Sequence, residues 1–187
     1  MNAEISLAEK VERIDRAFDR GRIAHAFGGA IALAYYATPR VTIDVDVNVF
    51  VSVDRYHDIV TILTRLGVGD FPADQIAFRD GQARAWWGRN PVDLFFSYDP
   101  IHEAMKDQAR VVPFGRGTIP ILAPEHLLVA KAVFNRTKDW IDIEQMLTAV
   151  GDLDIGEVNR WLAHLVGDED PRAERVRALV AQLREDR

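Results

Sequence analysis

Residues 27–51 read FGGAIALAYYATPRVTIDVDVNVFV, and the fold turns on how the second half of that stretch is laid out. Ile43, Val45, Val47, Val49 and Val51 alternate with Thr42, Asp44, Asp46 and Asn48, the period of a strand with one buried face. If the valines face a core, the two aspartates project together from the opposite face, with Cα atoms about 6–7 Å apart. Upstream, "IAHAF" reads as a short strand running into Gly28 and Gly29. "AIALAYYA" then suits a buried helix that Pro39 stops.

Working outward toward the N-terminus, Ser6 and Glu9 have the spacing of a capping box. Leu7, Val11, Ile14, Ala17 and Phe18 recur at helical spacing, so an amphipathic helix ends near Gly21. Toward the C-terminus, a helix from about Asp54 to Leu66 is closed by Gly67. "VGDFPADQIAFRDG" is a loop region with room for one helical turn. "QARAWWG" and "PVDLFFSY" read as strands joined by "GRNP", and "ARVVPFG" with "GTIPILA" as another pair around Gly115 and Gly117. From Pro124 onward "PEHLLVAKAVFNR", "DWIDIEQMLTAV", "IGEVNRWLAHLV" and "PRAERVRALVAQLRED" are helical. The order predicts an α/β (α+β) chain, a mixed sheet flanked by helices: a core over residues 1–123 and a helical part over residues 124–187 packed on it.

Composition narrows the class. The chain has 187 residues, 48% of them apolar and 28% charged, and no apolar run approaches the roughly 20 residues of a membrane-spanning helix. The absence of cysteine excludes disulfides and thiolate metal sites and fits a reducing cytoplasm. The charged N-terminus lacks the apolar stretch of a secretory signal. A net charge of −6 opposes broad nucleic-acid binding unless a local basic groove or bound cations reverse its sign.

Two neighbouring carboxylates repel unless a cation lies between them. All-oxygen ligation, with no cysteine and no clustered histidine, favours Mg²⁺ or Mn²⁺ over zinc. Asp93, between Val92 and Leu94, offers a third carboxylate from a strand able to lie beside the first. Three such groups can hold two ions about 3.5–4 Å apart, the arrangement of in-line phosphoryl transfer. The glycine pair fits this scheme, because a backbone without side chains admits a triphosphate closely.

A glycine pair opening a helix, an Asp-x-Asp strand fifteen residues on and a later strand aspartate resemble the DNA polymerase β-type nucleotidyltransferase superfamily. "PRVTIDVDV" and "LLVAKAVFNRTKDWIDIEQML" are similar to its AbiEii/AbiGii-like toxin branch, which includes the mycobacterial MenT toxins. The resemblance covers residues 24–147. It implies a polymerase β-like fold in which Gly28 and Gly29 line the triphosphate of an NTP, Asp44 and Asp46 bind the metal, and Asp93 completes the site. It also implies that Lys131 contacts nucleotide phosphates and that Asp142 is a further functional carboxylate. The implied reaction adds a nucleotide to the 3′ end of tRNA, halting translation, with a cognate antitoxin as partner. Gly29 stands where many relatives of that branch carry serine, and the chain is short for the branch.

Other residues have plainer readings. Lys131 also suits a snorkelling lysine on a buried helix, and Asp139 suits the first turn of the next helix. Arg40 is placed either for a phosphate or for an aspartate ion pair. Of Trp86 and Trp87, adjacent on a strand, one enters the core and the other faces outward. The arginines at 79, 84, 89, 110, 116 and 136 are candidate tRNA-backbone contacts, and the five histidines show no ligand spacing. Two rival functions remain at this level: nucleotidylation of a protein hydroxyl, and a non-catalytic regulatory module of the same fold.

Overall fold

The computed structural model describes residues 5–185, and the chain divides into two compact units. The first is Met1–Ile31 with Val41–Leu122, the second Ala32–Arg40 with Ala123–Arg187. Residues 1–4 and 186–187, at the outer limits of the two expected domains, lie outside the described residues.

The first unit is built on a six-stranded mixed sheet of β1 His25–Phe27, β2 Val45–Val49, β3 Gln82–Trp87, β4 Asn90–Phe96, β5 Arg110–Phe114 and β6 Gly117–Ile121. Their spatial order is β3-β4-β2-β1-β6-β5. β2 runs parallel to β4 and β1 parallel to β6, while the other neighbours are antiparallel. β3 alternates, with Ala83, Ala85 and Trp87 buried and Gln82, Arg84 and Trp86 exposed, which bears out the expected split of Trp86 and Trp87. Val45, Val47 and Val49 share the buried face with Val92, Leu94 and Phe96.

Helices α1 (Leu7–Gly21) and α3 (Tyr56–Thr64) cover that face. Phe18 of α1 meets the His25 ring edge-on at 5.2 Å, and Tyr56 of α3 meets Phe96 at 5.9 Å. A fully buried Val, Leu, Ile or Phe contributes roughly 1.5–3 kcal/mol. This apolar layer, rather than strand propensity, therefore holds strands as short as β1. Lys10 is buried here too, its ammonium donating to the Trp87 carbonyl at 2.8 Å and to Asn90 Oδ1 at 2.7 Å.

The structure differs from the sequence reading at several places. β2 starts at Val45, so Ile43 and Asp44 precede the strand and Val51 follows it; Ile43 is exposed, and its carbonyl accepts from the Asn90 side chain at 2.7 Å. Helix α2 is only Gly29–Leu33, because the N–H groups of Tyr35 and Tyr36 then bond to carbonyls three residues back and tighten the chain into turns well before Pro39. α4, Asp74–Asp80, forms two turns where a loop was expected, ended by Gly81 at φ 62 with its N–H on the Ala77 carbonyl. α5, Pro100–Asp107, has no counterpart in the sequence reading; Asp99 caps it by accepting the Ile101 N–H at 2.9 Å, and Ile101 and Met105 bury one side.

The second unit holds α6 (Pro124–Phe134), α7 (Thr137–Ala149), α8 (Ile155–Val166) and α9 (Pro171–Glu185). α6 is buried on nearly every side and packs against the other three, with Leu127, Leu128, Val129 and Ala132 in the core beside the buried Glu125, His126 and Lys131. Val158 and Leu162 of α8 and Ala173 and Val176 of α9 complete the core, and Arg175 lies 4.1 Å over the Trp140 ring. No described helix is long and apolar enough to cross a membrane.

Candidate active site

Strand register places the carboxylates of the first unit. Parallel pairing sets Asp46 of β2 directly opposite Asp93 of β4, and antiparallel pairing sets Arg84 of β3 opposite the same Asp93. Residues opposed in this way share a face, and neighbouring strands lie about 4.8 Å apart. Asp46, Asp93 and Arg84 thus form one row across the face that α1 and α3 leave uncovered.

The row carries its own cation. Arg84 Nε donates to Asp93 Oδ1 at 2.6 Å and Nη2 to Oδ2 at 2.7 Å, a two-pronged grip. That hydrogen bonding raises the guanidinium pKa above its ordinary value, and the negative charges of Asp93, Asp44 and Asp46 add to the effect against the opposing cost of burial. Arg84 thus feels all three carboxylates. Asp44 stands just before β2, where its N–H donates to Thr42 Oγ1 at 3.1 Å.

The glycine pair is fitted to Asp46. The Gly28 N–H donates to the Asp46 carbonyl at 2.9 Å, so that donor is already engaged and is not offered to a phosphate. A Cβ on Gly28 would stand 3.0 Å from the Asn48 amide nitrogen. Gly29 has φ +53, and a Cβ there would run into the Asp46 carboxylate. Both the backbone angle and the close approach therefore require glycine at 29.

Lys131 and Asp142 belong to the second unit. Lys131 Nζ bonds Asp142 Oδ2 at 2.6 Å and stands 4.0 Å from Asp139 Oδ1, with all three residues buried. Arg40 reaches Asp142 Oδ2 at 3.3 Å, which makes it the aspartate partner that sequence left as one of two readings. Asp139 takes the Arg136 backbone N–H at 3.1 Å and the Arg136 side chain at 2.7 Å, the helix-start role expected of it. Three of the six arginines read as RNA contacts are thus held by aspartates: Arg79 by Asp80, Arg84 by Asp93 and Arg136 by Asp139.

Sequence spacing missed one further group. Asp15, Asp19 and His25 bring ligand-type atoms within 4.8 Å of one another, because α1 packs on β1. The His25 ring lies 3.0 Å from the Ile23 carbonyl through Nδ1 and 3.2 Å from Asp15 Oδ1 through Nε2, tying β1 to α1. His25 pairs with Val49, on the apolar face opposite Asp46, so this group is separate from the aspartate row.

Asp46 and Asp93 offer carboxylate oxygens, the ligand type of a hard divalent cation, but among the described residues Asp44, Asp46 and Asp93 do not bring their oxygens within 4.8 Å of one another, because Asp44 precedes the paired strand and Asp93 is turned to Arg84.

No protein-family model and no curated protein sequence matches the chain. Solved structures do. The antibiotic-resistance factor ANT(2'')-Ia, in complex with adenylyl-2''-tobramycin, matches with a TM-score of 0.55 at 17% identity, over 96% of this chain and 97% of its own. An antigenic nucleotidyltransferase-like protein from Paracoccidioides brasiliensis matches with a TM-score of 0.53 at 17% identity, over 98% and 92%. The lincosamide antibiotic adenylyltransferase LnuA, lincomycin-bound, matches with a TM-score of 0.55 at 10% identity, over 77% and 98%. With its mixed sheet and its order of elements, the chain has the polymerase β-like nucleotidyltransferase fold.

Proposed function

We propose that this protein is a metal-dependent nucleotidyltransferase that moves a nucleoside monophosphate from an NTP to an acceptor hydroxyl and releases pyrophosphate. The observation that carries the proposal is the pairing of Asp46 with Asp93 on parallel strands, with Gly29 closed against Asp46. Asp44, Asp46 and Asp93 are the residues that would hold Mg²⁺ or Mn²⁺. When bound, such an ion supplies charge neutralisation for the attacking hydroxyl and the departing phosphates. The β2–β4 pairing fixes the spacing of Asp46 and Asp93 on rigid elements, and the missing side chain at Gly29 lets the Asp46 carboxylate lie against the start of α2. Lys131 and Asp142, which the resemblance implies as a phosphate contact and a further functional carboxylate, are buried against each other at 2.6 Å, and in this reading the pair holds α6 to α7.

For the acceptor, the resemblance of "PRVTIDVDV" and the later lysine-aspartate segment to the toxin branch supports the 3′ end of tRNA. The protein would then act in the cytoplasm as the toxin of a toxin-antitoxin pair, opposed by its antitoxin. A second reading has an observation in its favour. The match to ANT(2'')-Ia spans both chains almost end to end, and a net charge of −6 suits a cationic small-molecule acceptor better than a polyanion.

One assay separates these readings. The protein and its Asp46→Asn variant are incubated with Mg²⁺, each labelled NTP in turn, and total tRNA, a panel of hydroxylated antibiotics or a protein extract. Label on tRNA from the wild type alone supports the toxin reading, and label on an antibiotic supports the second. Label on protein moves the acceptor to a protein hydroxyl. Loss of label in Asp46→Asn by on the order of a hundredfold or more is expected. Equal transfer by both proteins removes the aspartate row from the chemistry.

A further inference from the structure

We propose that Arg84 is a displaceable internal cation: it holds Asp93 while no divalent ion is bound and gives that carboxylate up when one arrives. The inference rests on the nucleotidyltransferase reading of the aspartate row and adds how that row is kept and loaded.

Three observations carry it. The guanidinium fork engages both oxygens of Asp93, at 2.6 and 2.7 Å, and so takes one lone pair on each. The positions are fixed by register rather than by chance collapse, since Arg84 and Asp93 are directly paired across β3 and β4. The Arg84 side chain is also 57% exposed while that of Asp93 is 13% exposed, and β3 ends the sheet. The arginine therefore lies on the solvent side of the carboxylate, free to swing outward without disturbing the core.

Charge gives the reason for such a residue. Asp46 and Asp93 on the sheet and Asp44 just before β2 carry three negative charges that all act on Arg84, and the guanidinium cancels one of them. A divalent ion and a guanidinium on the same two oxygens repel each other, so metal binding and the Arg84 grip compete. Once released, the guanidinium has the planar geometry to take a phosphate of the incoming nucleotide, which a lysine at this position would lack.

The test is direct binding of Mn²⁺ alone, without nucleotide, read by electron paramagnetic resonance for the wild type, Arg84→Gln, Arg84→Lys and Asp46→Asn. Arg84→Gln is expected to bind Mn²⁺ about three- to tenfold more tightly than the wild type, the range of a partly exposed ion pair removed from competition. Arg84→Lys keeps the charge but loses the fork and should fall between the two, which decides the matter should the glutamine variant not fold. Equal or weaker binding by the folded Arg84 variants, with Asp46→Asn still impaired, overturns the inference and makes Arg84 a fixed support of Asp93. Failure of all four proteins to bind Mn²⁺ overturns the metal-site reading itself.

Discussion

The two units each hold a knot of aspartates and basic side chains, and the two knots are built on opposite terms. In the first unit Asp46 and Asp93 stand on paired strands, half-buried, and their cation Arg84 lies mostly in solvent. In the second, Lys131, Asp139 and Asp142 are almost wholly enclosed between α6 and α7. A carboxylate row whose counter-cation lies mostly in solvent can exchange one cation for another. A buried ion pair is costly to form and far costlier to halve, since the surviving charge keeps its desolvation penalty without its partner. The same residue types therefore suggest turnover in one place and rigidity in the other.

The largest effect should come from breaking the enclosed pair. Asp142→Ala leaves the buried Lys131 ammonium facing Asp139 at 4.0 Å, and a loss of about 3–5 kcal/mol in unfolding free energy is expected. The double variant Lys131→Met/Asp142→Leu, which removes both charges, should recover most of that loss. Urea denaturation measures both. In the first unit Asp46→Asn should leave stability unchanged or slightly raised, because it relieves repulsion with Asp93. The contrast breaks if Asp142→Ala unfolds no more easily than the wild type while losing nucleotidyl transfer, for the enclosed knot would then be a chemical site.

Gly29→Ala sharpens the comparison at a smaller scale. Holding alanine at φ +53 costs about 1–2 kcal/mol, and the new methyl group must also displace the Asp46 carboxylate. The expected outcome is a modest fall in melting temperature with a much larger loss of Mn²⁺ binding, measured on the same sample. A fall in both of equal weight would show that Gly29 serves the fold and not the aspartate row.

How far each knot could be read in advance follows from the kind of information it needs. The period-two pattern of β2 and β3 is local, so the buried valines and the outward aspartates were legible, and so was the split between buried Trp87 and exposed Trp86. Arg84 was read as a candidate tRNA-backbone contact, and its pairing with Asp93 was not legible because it depends on register. With "GRNP" taken as the turn, the register is undefined; the structure instead pairs Trp87 with Asn90 around Gly88 and Arg89, with Gly88 at φ 61, and that count forces Arg84 opposite Asp93. Asp44 was placed within the strand because alternation continues past the point where pairing stops. Hydrogen bonds to neighbours, not side-chain pattern, decide where a strand ends. The Lys131–Asp142 pair lay beyond any local rule, since it needs the angle at which α6 and α7 meet.

The smallest prediction concerns acid. His126, on α6 five residues before Lys131, is fully buried; neither ring nitrogen makes a hydrogen bond among the described residues, and Glu157 Oε1 stands 3.4 Å from Nε2 without forming one. Burial pushes its pKa below the ordinary 6.5, and the neighbouring Glu157 and Glu125 only partly offset this. Below pH 6.5 the unfolded chain therefore takes up a proton that the folded chain resists. The stability contribution is complete above that pH and drains away as pH falls toward the depressed native value. The slope cannot exceed about 1.4 kcal/mol per pH unit for one proton. His102, in the first unit, is depressed by burial in the same direction, so urea midpoints from pH 7.5 to 5 should be compared for the wild type, His126→Gln and His102→Gln. Each variant should show a shallower decline than the wild type. An unchanged slope in His126→Gln would mean that this ring accepts its proton without leaving the folded state, and the second unit would be less tightly closed than the Lys131–Asp142 pair implies.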